Sequence, residues 1–171
     1  MRPSARLSIM AVLFLIGVFA GAQPARAGTQ VAPVSANVIK PLVLTMLQNL
    51  DLGTITLGPG TWSNATVSLS KASVFSCTNV NITCTGATLV AQYNVQGSNN
   101  QTVHITAPNV TLVNQSDATQ TLTLVVDAPA TVVLTNSGPP GTNFNIGGAI
   151  TVDSTTAAGT YVGTFNVTVN Y

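Results

Sequence analysis

The sequence predicts an all-β domain, built as a sandwich or a barrel, and three observations carry that reading. From Gly159 onward, Tyr161, Gly163, Phe165, Val167, Val169 and Tyr171 fall on one parity, while Thr164, Asn166, Thr168 and Asn170 fall on the other. A period of two sends successive side chains to opposite faces of a pleated ribbon, so this stretch is a strand with one face on a core and one in water. Charged residues make up only 5% of the chain, which leaves Thr, Asn, Ser and Gln to cover the surface, a composition poor in helix formers. Finally, about ten short apolar runs are separated by Gly, Pro, Asn and Ser with no helical period after residue 27, the pattern of strands joined by turns.

The N-terminal end reads differently. Arg2 and Arg6 precede an uncharged, largely apolar run of fourteen residues from Ile9 to Ala22, followed by Gln23, Pro24 and Ala25-Arg26-Ala27. A basic start, a short hydrophobic middle and small residues at the cut make a secretory signal peptide over residues 1–27, cleaved after Ala27. The run is too short for a bilayer span, which takes roughly 20 apolar residues. The remaining chain divides into an arm over residues 28–39 and one β domain over residues 40–171, long enough to bury a core.

In the arm, Val34, Ala36 and Val38 share a parity that continues past Lys40 into Leu42, Leu44 and Met46. Pro41 lacks a backbone donor, so it places this extended run at a sheet edge or splits it in two. Strands are then expected at 50–57, 66–69, 74–77, 87–95, 102–106, 110–113, 121–126, 130–134, 144–152 and 160–171. Gly58-Pro59-Gly60 and Gly97-Ser98-Asn99-Asn100 supply turns between them.

Composition also excludes functions. Beyond residue 27 the chain carries Lys40 and Lys71 against Asp51, Asp117, Asp127 and Asp153, with no Glu. Two lysines cannot form the basic surface that displaces counterions from phosphates, so nucleic acid is not a partner. Cys77 and Cys84 lie in the exported part with six residues between them, which predicts one disulfide closing a short loop or hairpin and not a metal pair. His104 shares its parity with Thr102 and Thr106, so it faces solvent with no carboxylate assigned to it. The aspartates are too scattered for a calcium loop, and Asp127 and Asp153 fall at strand ends, where carboxylates cap turn amides. Gly147-Gly148 precedes a strand instead of a helix, so it marks a bulge or a tight strand crossing and not a phosphate loop. Trp62, alone after a turn, is a local core plug. The Asn-x-Thr/Ser triplets at Asn64, Asn81, Asn109, Asn114 and Asn166 are uninformative in a chain this rich in Thr and Asn. No catalytic, cofactor-binding or metal-ligating set emerges, and the chain is read as a non-enzyme without cofactors.

The run Asn145-Ile146-Gly147-Gly148-Ala149-Ile150-Thr151-Val152, a spacer, then Ala158-Gly159-Thr160-Tyr161-Val162-Gly163-Thr164-Phe165-Asn166-Val167-Thr168-Val169-Asn170-Tyr171 resembles the C-terminal signature of a bacterial secreted β-rich family, the domain of unknown function 4402. Leu50-Asp51-Leu52-Gly53-Thr54-Ile55 resembles that family's Leu-Asp-Phe-Gly-x-Ile element, with Leu52 in place of Phe. The family is similar in layout to spore-coat-U-like proteins and chaperone–usher pilins. The resemblance implies an immunoglobulin-like, pilin-like sandwich that lacks one strand and is completed by the N-terminal arm of the next subunit. The donor is then Thr29 to Ile39, inserting Val34, Ala36 and Val38. The strand carrying Tyr161, Phe165, Val167, Val169 and Tyr171 flanks the groove.

With this resemblance, the expected role is a structural subunit of an extracellular or cell-surface filament. Its partners are other copies of itself or related subunits, with a periplasmic chaperone and an outer-membrane usher during export. One rival is a self-complete secreted adhesion or binding domain whose arm pairs within its own sheet. A small outer-membrane barrel would also end in an alternating strand with a terminal aromatic residue. It is short of aromatics for two girdles, and its strands are mostly shorter than the ~9–11 residues that cross a membrane. A secreted hydrolase lacks a credible acid–base pair.

Overall fold

The computed structural model describes residues 28–171; the signal-peptide reading of residues 1–27 lies outside them. Two compact units divide the chain, one ending at Ala36 and one spanning Asn37–Tyr171. In the first, residues 28–36 form no strand and every side chain is exposed.

The second unit is all-β, with no helix among the described residues. Its strands are β1 (Val43–Gln48), β2 (Thr54–Leu57), β3 (Ala65–Leu69), β4 (Phe75–Ser76), β5 (Ile82–Thr85), β6 (Ala91–Gln96) and β7 (Thr102–Thr106). They continue with β8 (Val110–Asn114), β9 (Thr121–Asp127), β10 (Thr131–Val133), β11 (Thr142–Val152), β12 (Tyr161–Val162) and β13 (Thr168–Asn170). The largest sheet runs β1-β6-β11-β9-β8-β12, with β3 against β11 and β4 against β3; a second runs β10-β7-β13; β2 and β5 form a third. The large sheet does not close on itself, since β1 and β12 stand at its two ends.

Period-two burial explains how the sheets pack. On β6, Ala91, Tyr93 and Val95 point inward; on β7, Val103 and Ile105 do; on β11, Phe144 and Ile146 do. These residues and Leu134 form one core cluster, with the Tyr93 and Phe144 rings stacked at 5.7 Å. Ala65, Val67, Ile82, Leu124, Ile150 and Val152 form a second. Phe165, on the last ribbon, packs against both clusters.

β11 joins the two. Its first half pairs with β6 through Thr142–Ile146, and its second half pairs with β3 and β9. The change of partner falls at Gly147-Gly148, with no slip of parity, so the glycine pair marks a tight crossing and not a bulge. A Cβ on Gly147 would overlap the Leu69 carbonyl oxygen and lie 2.5 Å from Ser70 C.

Three expectations are corrected in detail. The run expected to extend to Leu47, interrupted at Pro41, is a strand only from Val43; Met46 is exposed although it pairs in register with Tyr93, and the register shifts between Met46 and Gln48. Residues 50–57 are broken at Gly53, which takes φ 76°, so Asp51 makes only an isolated bridge to Leu89 and the strand starts at Thr54. The final ribbon keeps its alternation but not one sheet: β12 pairs with β8 and β13 with β7. β5 is not expected from the sequence, because Ile82-Thr83-Cys84-Thr85 carries one strongly apolar residue and reads as loop.

Cys77 and Cys84 form the expected disulfide, with their Cα atoms 6.3 Å apart, tying the loop before β5 to the second core cluster. Replacing both cysteines with alanine is expected to lower unfolding free energy by about 2.5 kcal/mol, the chain-entropy value for so short a ring. Urea denaturation of the oxidised protein and the double variant measures it.

Candidate functional site

The residues that sequence chemistry singles out are not gathered. His104 is exposed on β7, opposite Thr131 on one side and Asn170 on the other. Asp51, Asp117 and Asp153 each accept a turn amide two residues on, from Gly53, Thr119 and Thr155. Asp127 reaches across to the turn after β3, accepting from the Lys71 amide at 2.9 Å and from its Nζ at 2.5 Å. Among the described residues, no three His, Cys, Asp or Glu side chains lie close enough to hold a metal ion. Trp62 packs on the second core cluster and donates to the Gly58 carbonyl, the plug expected of it.

Hydrogen bonds from Lys71 hold the Asp127 carboxyl below the ordinary carboxylate range, and bonds from threonines do the same for Asp117 and Asp153. A carboxylate that ionises more readily when folded contributes stability above its unfolded pKa of about 3.9, and that contribution is lost as pH falls through the folded value. The urea midpoint is therefore expected to stay nearly level from about pH 7 to 5 and to drop below about pH 4. The drop is modest, because these carboxylates are largely solvated.

What the fold does assemble is an opening beside its last strand. Phe165, Val167 and Val169 turn inward, half-buried, while Thr164, Asn166, Thr168 and Asn170 face water. One edge of β13 is paired with β7 through Thr168–Thr106, Val169–Ile105 and Asn170–His104; among the described residues no strand takes the other edge. β1 is likewise paired on one edge only, with β6. At the Tyr171 end of β13 lies an open groove of about 450 Å³, lined by Ile39, Lys40, Pro41 and Leu42, the segment before β1, on one wall and by Val169, Asn170 and Tyr171 on the other. Ile39 on its wall is about half exposed, as are Val43, Met46 and Leu47 on the strand that follows.

One end of the groove is closed by polar contacts. The Tyr171 hydroxyl donates to the Lys40 carbonyl at 2.6 Å and accepts from the Ser98 amide at 2.8 Å. The Lys40 amide donates to Ser98 Oγ at 2.6 Å, and Lys40 Nζ reaches the Ser137 carbonyl at 3.4 Å. Gly97 makes room for this arrangement, since a Cβ there would meet the Tyr171 hydroxyl and, at 2.8 Å, both Leu134 and Leu42.

Of the candidate assembly residues, Val169 and Tyr171 line the groove, Phe165 and Val167 lie on the same inward face before it, and Tyr161 sits on β12 with its hydroxyl on the Ala157 carbonyl. The candidate donor residues Val34, Ala36 and Val38 are exposed, the two valines at 93% and 88%. Sequence reasoning missed Lys40 as a groove residue and Ser98 as the partner of Lys40 and Tyr171 at its end. Lys40-Pro41, the boundary between arm and domain, was the signal for one; Ser98 reads only as a turn former.

The family described as Domain of unknown function (DUF4402) matches residues 42–171, from the residue before β1 through the last strand and without the arm. No curated protein and no solved structure matches the chain.

Proposed function

The chain belongs to the domain of unknown function 4402 family, and from that premise we propose that it is a non-enzymatic structural subunit of an extracellular or cell-surface filament. Its fold is then an immunoglobulin-like, pilin-like sandwich one strand short, and the missing strand is the arm of a second copy. The observation that carries this reading is that β13 is paired on one edge only among the described residues and that its last residues line an open groove whose other wall is residues 39–42. An unpaired row of backbone donors and acceptors is a template for strand addition, in which main-chain hydrogen bonds supply affinity and alternate side chains fill the groove.

The arm suits that role in length and pattern. Thr29 to Ile39 contains as many residues as the ribbon from Tyr161 to Tyr171, so when extended at ~3.3–3.6 Å per residue it can lie along the whole ribbon. Val34, Ala36 and Val38 recur at period two and would point into the groove together. Exposed valines on a segment without strand pairing support an unmet partner. Because donor and acceptor are different surfaces, the contact is head-to-tail and builds a fibre. A signal peptide over residues 1–27 would direct the subunit across the inner membrane and be cleaved off, and the disulfide accords with an oxidising compartment. A periplasmic chaperone and an outer-membrane usher would then cover the groove before assembly.

Size-exclusion chromatography of the chain from Gly28 and of the chain from Lys40 tests the proposal. Assembly by the longer form and none by the shorter is the expected result. Monomers in both forms would point to the self-complete adhesion or binding domain instead.

A further inference from the structure

We infer that the contacts of Tyr171, Lys40 and Ser98, together with Pro41, bar each subunit's arm from its own groove and so make a second copy the donor. The inference rests on the strand-addition reading of this groove. Ile39, the last arm residue, already lines the wall, so a strand folding back from that point would otherwise be the nearest occupant.

Chain direction defines what folding back requires. β1 begins at the Tyr171 end of the groove, since Val43 pairs with Gln96, next to Gly97 and its contact with Tyr171. From there β1 runs away, so the most direct way for residues 38 and below to enter the groove is a reversal within Ile39–Leu42, as a tight hairpin on β1. The central positions of that turn would be Lys40 and Pro41. Two-residue hairpin turns call for positive φ at the first or both central positions, usually met by Gly, Asn or Asp. Pro41 is locked near φ −65°, and a residue before proline is held extended.

The hydrogen bonds add a second, independent obstacle. Both backbone groups of Lys40 are already engaged, the amide by Ser98 Oγ and the carbonyl by the Tyr171 hydroxyl. A reversal at Lys40 would break both and leave the Tyr171 hydroxyl without its acceptor at the mouth of the groove. An arm arriving from another molecule needs no turn here and leaves these bonds intact. Tyr171 thus acts on its own chain's exit and does not need to touch the incoming strand.

Sedimentation velocity of the chain from Gly28, of Tyr171→Phe, of Pro41→Gly and of the double variant tests this, with thermolysin digestion of each monomer fraction to report whether the arm is sheltered. The wild type should assemble, and its residual monomers should lose their arms quickly. The double variant should raise the ratio of monomer to assembly by roughly tenfold, the scale of losing one or two hydrogen bonds that oppose closure, and its monomers should resist cleavage. Pro41→Gly removes no hydrogen bond and carries the test alone where Tyr171→Phe loosens the domain. A double variant that assembles like the wild type, or whose monomers keep cleavable arms, overturns the inference and leaves strand addition standing. A wild type that never assembles overturns both.

Discussion

Gly147→Ala is expected to be among the most damaging single methyl additions in the domain, lowering unfolding free energy by about 4 kcal/mol or more. The added Cβ would overlap the Leu69 carbonyl oxygen and sit 2.5 Å from Ser70 C and 2.7 Å from Lys71 N. All three are backbone atoms at the end of β3 and the start of the turn that follows it, and they cannot rotate aside as a side chain could. The neighbouring Gly148→Ala provides the contrast, since its Cβ would press on the Leu124 side chain at 2.7 Å, with the nearest backbone oxygen at 3.2 Å. Overpacking against a side chain costs about 1–3 kcal/mol. The ordering of the two variants by urea midpoint checks that β11 crosses from one core cluster to the other through close backbone contact at this glycine.

Ala36→Asp is expected to abolish assembly while leaving the domain as stable as before. Ala36 is exposed and belongs to no strand, so its replacement should move unfolding free energy by no more than about 0.5 kcal/mol. In the inserted arm the same position would face a core, where an unpaired carboxylate costs several kcal/mol. Burying Val34 and Val38 contributes about 1.5–3 kcal/mol each, so a single aspartate between them offsets most of what the apolar face supplies. Chromatography at a concentration where the wild type assembles, with urea denaturation of the same samples, measures both halves of the expectation.

Much of the fold is legible in the sequence because burial follows parity. Ala91, Tyr93 and Val95, Val103 and Ile105, and Phe144 and Ile146 each fall on an inward face by alternation alone, and each is buried. Parity assigns a face but not a partner, which is why the last ribbon reads as one strand although Tyr161 pairs in one sheet and Val169 in another. The disulfide follows from the even cysteine count together with the expected export. The groove is not legible from residue pattern: it depends on which edge of β13 goes unpaired, a property of topology. Nor can sequence show that the hydroxyl of Tyr171 reaches Lys40 across 131 positions; alternation explains only the aromatic ring. Leu89 continues the parity of β6 but is partly exposed, because its backbone bridges to Asp51 and not to the sheet.

The most direct measurement is hydrogen exchange on the domain starting at Lys40, with and without a synthetic peptide of residues 29–39. If the groove beside the last strand receives the arm, the peptide should bind and slow exchange at the amides from Gly163 to Tyr171, leaving β2 and β5 unchanged. Unaltered exchange along that ribbon at saturating peptide, or protection confined to some other face, would contradict the account.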